Sequence, residues 1–148
     1  MDPTVERLES PEECDQYIEN VRDRFPDLAV QAVRRRVQLR ARLKQPANDC
    51  ECACYEAILA YEETLRQEYG RAQRANRTWP MVERDGILPA VETLVRRRDS
   101  SGGYEALKRL GLLEHTFEAV VVKYPDQFSE EAVNLSRQRL KELEEELK

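Results

Sequence analysis

The sequence predicts an all-α protein, a compact single-domain bundle of about six to eight helices. Three observations carry that expectation. Charged residues make up 36% of the 148-residue chain, hydrophobic residues 41%, and there are only 5 Gly, a mixture that suits charged amphipathic helices better than sheets. Apolar residues recur at helical spacing between recognisable start and stop signals. The length is that of one ordinary domain, enough to bury a core without disulfides or metal. We therefore expect one helical domain over residues 1–148, with an N-terminal half to about 70 and a C-terminal half from about 71.

The first helix is announced by Ser10, Pro11 and Glu13, a cap, a first-turn proline and the acid of a capping box. Cys14, Tyr17, Ile18 and Val21 then make its buried stripe, to about Arg24. Pro26 ends it, and Asp27 is placed to cap the next. That second helix runs toward Pro46 with two apolar strips, Val30, Val33, Val37 and Ala41 on one side and Leu28, Ala32, Leu39 and Leu43 on the other. Two strips predict a helix sandwiched in the core. Its basic residues fall between them, Arg35 and Arg42 on one flank, Arg36, Arg40 and Lys44 on the other, so no continuous basic stripe forms.

Asp49 is placed to cap a long third helix reaching about Tyr69, which Gly70 ends. After a polar link, Thr78 is placed to cap a short helix closed by Gly86, and another follows to about residue 98. The segment 99–103, Asp-Ser-Ser-Gly-Gly, reads as a flexible loop. A short helix from Tyr104 and a longer one through Phe117 to Tyr124 come next. The run Val120 to Val122 suits a strand, but Leu113, Phe117, Val120, Val121 and Tyr124 have helical spacing, and helix is expected. Pro125 breaks the chain and Ser129 caps a last helix with Val133, Leu140, Leu143 and Leu147 on its docking face, its charged end fraying or meeting a partner. The aromatic-Pro-Asp sequences at Phe25 and Tyr124 read as helix joints, not as a repeat.

Charge is arranged in blocks beneath a net of −5. Residues 1–33 hold nine acids and three bases, 34–44 six bases and no acid, and 45–70 six acids and one base. Such a balance argues against a bulk nucleic-acid coat and leaves local patches. The acidic N-terminus has no apolar core of a signal peptide, and the longest aliphatic run, Ala119 to Val122, is far short of the roughly 20 residues of a membrane span. A cytoplasmic protein with reduced thiols is expected, in which the Asn76-Arg77-Thr78 glycosylation pattern goes unused.

Cys50, Cys52 and Cys54 invite a metal, with Cys14 or the single histidine, His115, to complete four ligands. Their alternate spacing is not that of a zinc motif. On a helix, Cys50 and Cys54 project into the apolar face with Ala57, Ile58, Tyr61 and Leu65, while Cys52 points almost the other way with Leu59. Buried thiols are expected, no cofactor is assigned, and zinc stands as an alternative that needs the first turn unwound.

The candidate interaction surface is basic. Arg71, Arg74 and Arg77 occupy seven residues without an acid, Arg84 lies in the following helix, and Arg96, Arg97 and Arg98 end the next. Two helices around Gly86 with arginines at both ends could set a helix-turn-helix on nucleic acid, neutralising phosphate and reading guanine edges. The alanine favoured early in such motifs is absent, and Pro89 stands where a recognition helix would begin. The competing reading makes Trp79 core, Arg96 to Arg98 a helix C-terminus and the link arginines solvated. For the basic run 34–44, ion pairs to acids such as Glu12, Glu13, Glu19, Glu56, Glu62 and Glu63 are the ready explanation.

No catalytic constellation is visible. One histidine cannot build a His-pair metal site, and P-loop, Rossmann fingerprint and nucleophile elbow are all missing. A Cys14 or Cys52 nucleophile with His115 would need a long-range pairing that sequence does not display. We expect a non-catalytic interaction protein, an adaptor, regulator or inhibitor binding a protein or nucleic acid through charged helix faces, with a helical subunit or inhibitor of a larger defence or counter-defence assembly as the alternative. No small-molecule substrate and no membrane partner are expected.

Overall fold

The computed structural model describes residues 1–97 and 104–146. Within them the chain is all-helical, with nine α-helices and no strand: α1 (Pro3–Glu6), α2 (Pro11–Val21), α3 (Pro26–Leu43), α4 (Asp49–Tyr69), α5 (Thr78–Asp85), α6 (Ile87–Arg96), α7 (Tyr104–Arg109), α8 (Phe117–Lys123) and α9 (Glu130–Glu146). The expected count of six to eight is low because α1, a single turn capped by Asp2, carries too little periodicity to read. The helix foreseen through Tyr124 is also divided. Leu113–His115 is a 3-10 turn, and Thr116 then caps α8 by accepting from the Ala119 N–H at 3.1 Å. Helix, not strand, is what residues 117–123 form. The flexible loop expected at 99–103 lies outside the described residues, as do Arg98 and Leu147.

Local chemistry sets the ends. Ser10 Oγ accepts from the Glu13 N–H at 3.1 Å, and Glu13 Oε2 reaches back to the Glu9 N–H at 2.9 Å, so two otherwise orphaned donors are satisfied. Ser129 caps α9 through the Ala132 N–H. Three other caps differ from expectation. Asn48, not Asp49, caps α4, with its side chain accepting from the Glu51 N–H. Asp27 and Thr78 lie inside their helices, which open at Phe25 and Arg77 without side-chain caps. Pro26 explains the first case, since proline supplies the helical φ and has no N–H to satisfy. Thr78 is buried and leads α5 inward.

The centre of the molecule is α4. Cys54, Ala57, Ile58, Leu59 and Ala60 are buried along it, and it packs against α3, α6, α7 and α8. One core cluster gathers Val37 and Ala41 of α3 with Ile58, Trp79, Val91, Val95, Val121 and Phe128. A smaller one joins Val33 and Ala60 to Leu107, Leu110 and Leu112. Helix α3 is sandwiched as its two strips imply, with α1 and α2 on one side and α4 on the other. Only its ends escape, with Val30 and Leu43 exposed. None of the described helices is long and apolar enough to cross a membrane.

Candidate functional site

Charges buried between α3 and α4 organise the basic surface. Arg36 sits between the two apolar strips of α3 and is 5% exposed. Its Nε and Nη2 donate to the two carboxylate oxygens of Glu63 at 2.9 and 2.7 Å, and its Nη1 donates to Asp15 Oδ1 at 2.7 Å. Burial opposes this charge, but the hydrogen bonds and negative charge of Glu63, then of Asp15, outweigh it and hold the guanidinium above its ordinary range. One turn along α3, Arg40 Nη2 donates to Glu62 Oε1 at 2.8 Å.

Glu62 also fixes the link that follows α4. Its second oxygen accepts the Ala75 backbone N–H at 2.8 Å and Trp79 Nε1 at 2.6 Å, so one buried carboxylate anchors both the link and the start of α5. Trp79 completes its surroundings by stacking on Tyr55 with ring centroids 6.4 Å apart, while Lys44 Nζ lies 4.3 Å from its centroid on the ring face. Above the ion pairs opens a cleft of about 300 Å³ between the start of α2, α3, the second half of α4 and residues 72–74. Arg66 and Arg74 line it beside Arg36, Arg40 and Glu63.

The candidate arginines have different surroundings. Arg71, Arg74 and Arg77 are exposed on the link and meet no acid among the described residues. Arg84 bonds its neighbour Asp85 at 2.9 Å. Arg96 reaches Glu131 of α9 at 2.8 Å, and the carbonyl of Arg97 accepts from Arg139. Arg96 and the backbone of Arg97 thus meet the last helix, with the Arg97 side chain exposed, whereas Arg74 belongs to the cleft.

Helices α5 and α6 do not have a helix-turn-helix arrangement. A single residue, Gly86, ends one and starts the other, where that motif has a turn of three or four residues. Ile87, Ala90, Val91 and Val95 of α6 are buried, and Glu92 accepts the Ser129 N–H at 2.7 Å, so this side of α6 is committed to packing.

The cysteines divide as their helical projection implies. Cys50 and Cys54 are buried and Cys52 is half-buried, with the first turn of α4 helical. Among the described residues no group of three or more His, Cys, Asp or Glu is arranged to hold a metal ion. Cys52 Sγ donates to Glu56 Oε1 at 3.4 Å, and the other oxygen of Glu56 lies 3.6 Å from His115 Nδ1. The carboxylate therefore stands between thiol and imidazole. Burial and Glu56 push the Cys52 thiol up to about 11, opposite to the shift a cysteine nucleophile requires.

The ion pairs expected for the basic run form at Glu62 and Glu63, but the sequence does not mark these two as buried among the other acids. The one signal for their burial is their spacing, four residues after the core residues Ile58 and Leu59, which turns both carboxylates inward. Arg66 is the single base of an acidic block, so the charge pattern gives no sign of its place in the cleft.

No family model matches this chain, and neither curated proteins nor solved structures give a match to it.

Proposed function

We propose that this chain is a non-catalytic interaction protein, an adaptor or regulator, that contacts nucleic acid through the link between α4 and α5. The observation that supports this reading most is that Arg71, Arg74 and Arg77 are exposed and lack acidic partners, while most arginines of α3 are taken up by ion pairs or backbone acceptors. Tyr69, 59% exposed, stands two residues before Arg71 and supplies a face on which a base can stack. Glu62 holds the far end of the link, which reduces the entropy lost when the arginines engage phosphate. Arg96 and Arg97 form no part of this surface, and Arg84 contributes little because Asp85 neutralises it.

Titration of labelled single-stranded and duplex oligonucleotides over a salt series tests the reading. Three phosphate contacts on a single strand correspond to a slope of log K against log salt of about −2. Binding should be lost on Arg71→Glu with Arg77→Glu and weakened by Tyr69→Ala. No binding at low salt would refute nucleic acid as the partner.

A further inference from the structure

The cleft beneath the link has a chemistry of its own. Its floor is satisfied: both oxygens of Glu63 are held by Arg36, and both of Glu62 by Arg40, the Ala75 N–H and Trp79. Its rim is not. Arg66 and Arg74 have no acceptor among the described residues, and Arg40, one-third exposed, gives only Nη2 to Glu62. Three guanidiniums with unused N–H groups thus line one cavity of about 300 Å³, at the small end of ligand pockets.

We propose that this cleft binds a phosphate monoester, with Arg66 and Arg74 taking the phosphate oxygens and Arg40 supplying a further donor. Guanidinium presents paired N–H groups in one plane, which suits the oxygens of a phosphate monoester. The remaining lining is polar or small, with Gln73 and Ala72 from the link and no aromatic ring, so a compact polar ester fits and a stacked base does not. The buried acids do not compete, because their lone pairs are already engaged. Glu12 and Asp15 are the exceptions: both line the same cleft from α2 and oppose the incoming anion, Glu12 exposed and without a partner, Asp15 exposed and giving only Oδ1 to Arg36.

This site shares only Arg74 with the proposed nucleic-acid surface, so the two can fail separately. Calorimetry on the full chain with glycerol 3-phosphate and inorganic phosphate as probes should give saturable binding at one site. Arg66→Ala should weaken it at least tenfold, Glu12→Gln should tighten it, and Arg77→Ala, outside the cleft, should leave it unchanged. Circular dichroism of each variant verifies the fold. Competition by an oligonucleotide lacking a terminal phosphate would assign the phosphate to a polymer backbone and overturn the monoester. Absence of saturable binding, or binding indifferent to Arg66→Ala, would overturn the site. Loss of oligonucleotide binding in Arg71→Glu with Arg77→Glu, while glycerol 3-phosphate still binds, would separate the two surfaces.

Discussion

Arg36 and Glu63, 27 residues apart in sequence, form a bidentate ion pair between α3 and α4 with both side chains almost wholly removed from water. Desolvation makes such a pair a weak source of net stability and a strong source of specificity, because either charge alone in that position is costly. The pair holds α3 against α4 in the register that also brings Arg40 to Glu62.

Removing one partner should therefore be worse than removing both. Arg36→Met or Glu63→Leu should each cost about 3–5 kcal/mol in denaturant unfolding, and the double variant less than either single change. Additive losses would mean that the two charges do not depend on each other.

Gly86 joins α5 to α6 with φ 93° and ψ 162°, a backbone region essentially restricted to glycine. An added Cβ would meet only Pro89 Cδ at an ordinary 3.6 Å, so the cost of substitution is conformational, not steric crowding. Gly86→Ala should destabilise by about 1–3 kcal/mol. A thermal melt unchanged from the parent protein would contradict the assignment.

His115 is buried, and burial lowers its pKa from the ordinary 6.5 despite the opposing charges of Glu56 and Glu114; Arg34 and Lys123 act with burial. Below about pH 6.5 the unfolded chain takes up a proton that the native state resists, so stability falls as pH falls from 6.5 toward the lowered native value. Unfolding measured across this range should show that loss, and His115→Gln should flatten the contribution. NMR titration of the single imidazole gives a direct check, and a native pKa above 6.5 would reverse the sign.

The thiols predict the opposite flank. Burial pushes Cys14 and Cys52 up to about 11 and raises Cys50 and Cys54 as well, from an ordinary 9.0. Above about pH 9 the unfolded chain releases protons that the native state retains, and stability should fall as pH rises. At pH 7 a thiol reagent should react slowly, with half-buried Cys52 ahead of buried Cys14 and Cys54. Peptide mapping that finds Cys14 or Cys54 labelled first would show that the packing around α4 opens readily.

Helix positions were legible wherever the deciding interaction is local. The Ser10 box, the Gly70 stop with its φ of 72°, and the opposed faces of Cys50 and Cys52 involve neighbours within a turn or two. The caps expected at Asp27, Asp49 and Thr78 reflect competition between adjacent positions: proline geometry and burial outweigh a side-chain hydrogen bond worth about 1 kcal/mol at Asp27 and Thr78, and Asn48 makes that bond in place of Asp49. Helix α1 was not legible because one turn holds only one buried residue, Val5.

By itself the sequence determined an all-helical chain, the sandwiched α3 and the partition of its thiols, because period and capping act over a few residues. The tertiary structure alone decided which charges meet. Seven arginines of similar appearance separated into exposed, ion-paired and undescribed positions, while Arg36, Arg40, Arg66 and Arg74 came together around a cleft from three separate stretches of chain. The acids that meet Arg36 and Arg40 lie tens of residues away and are chosen by packing, and a one-dimensional charge pattern contains no distance between them.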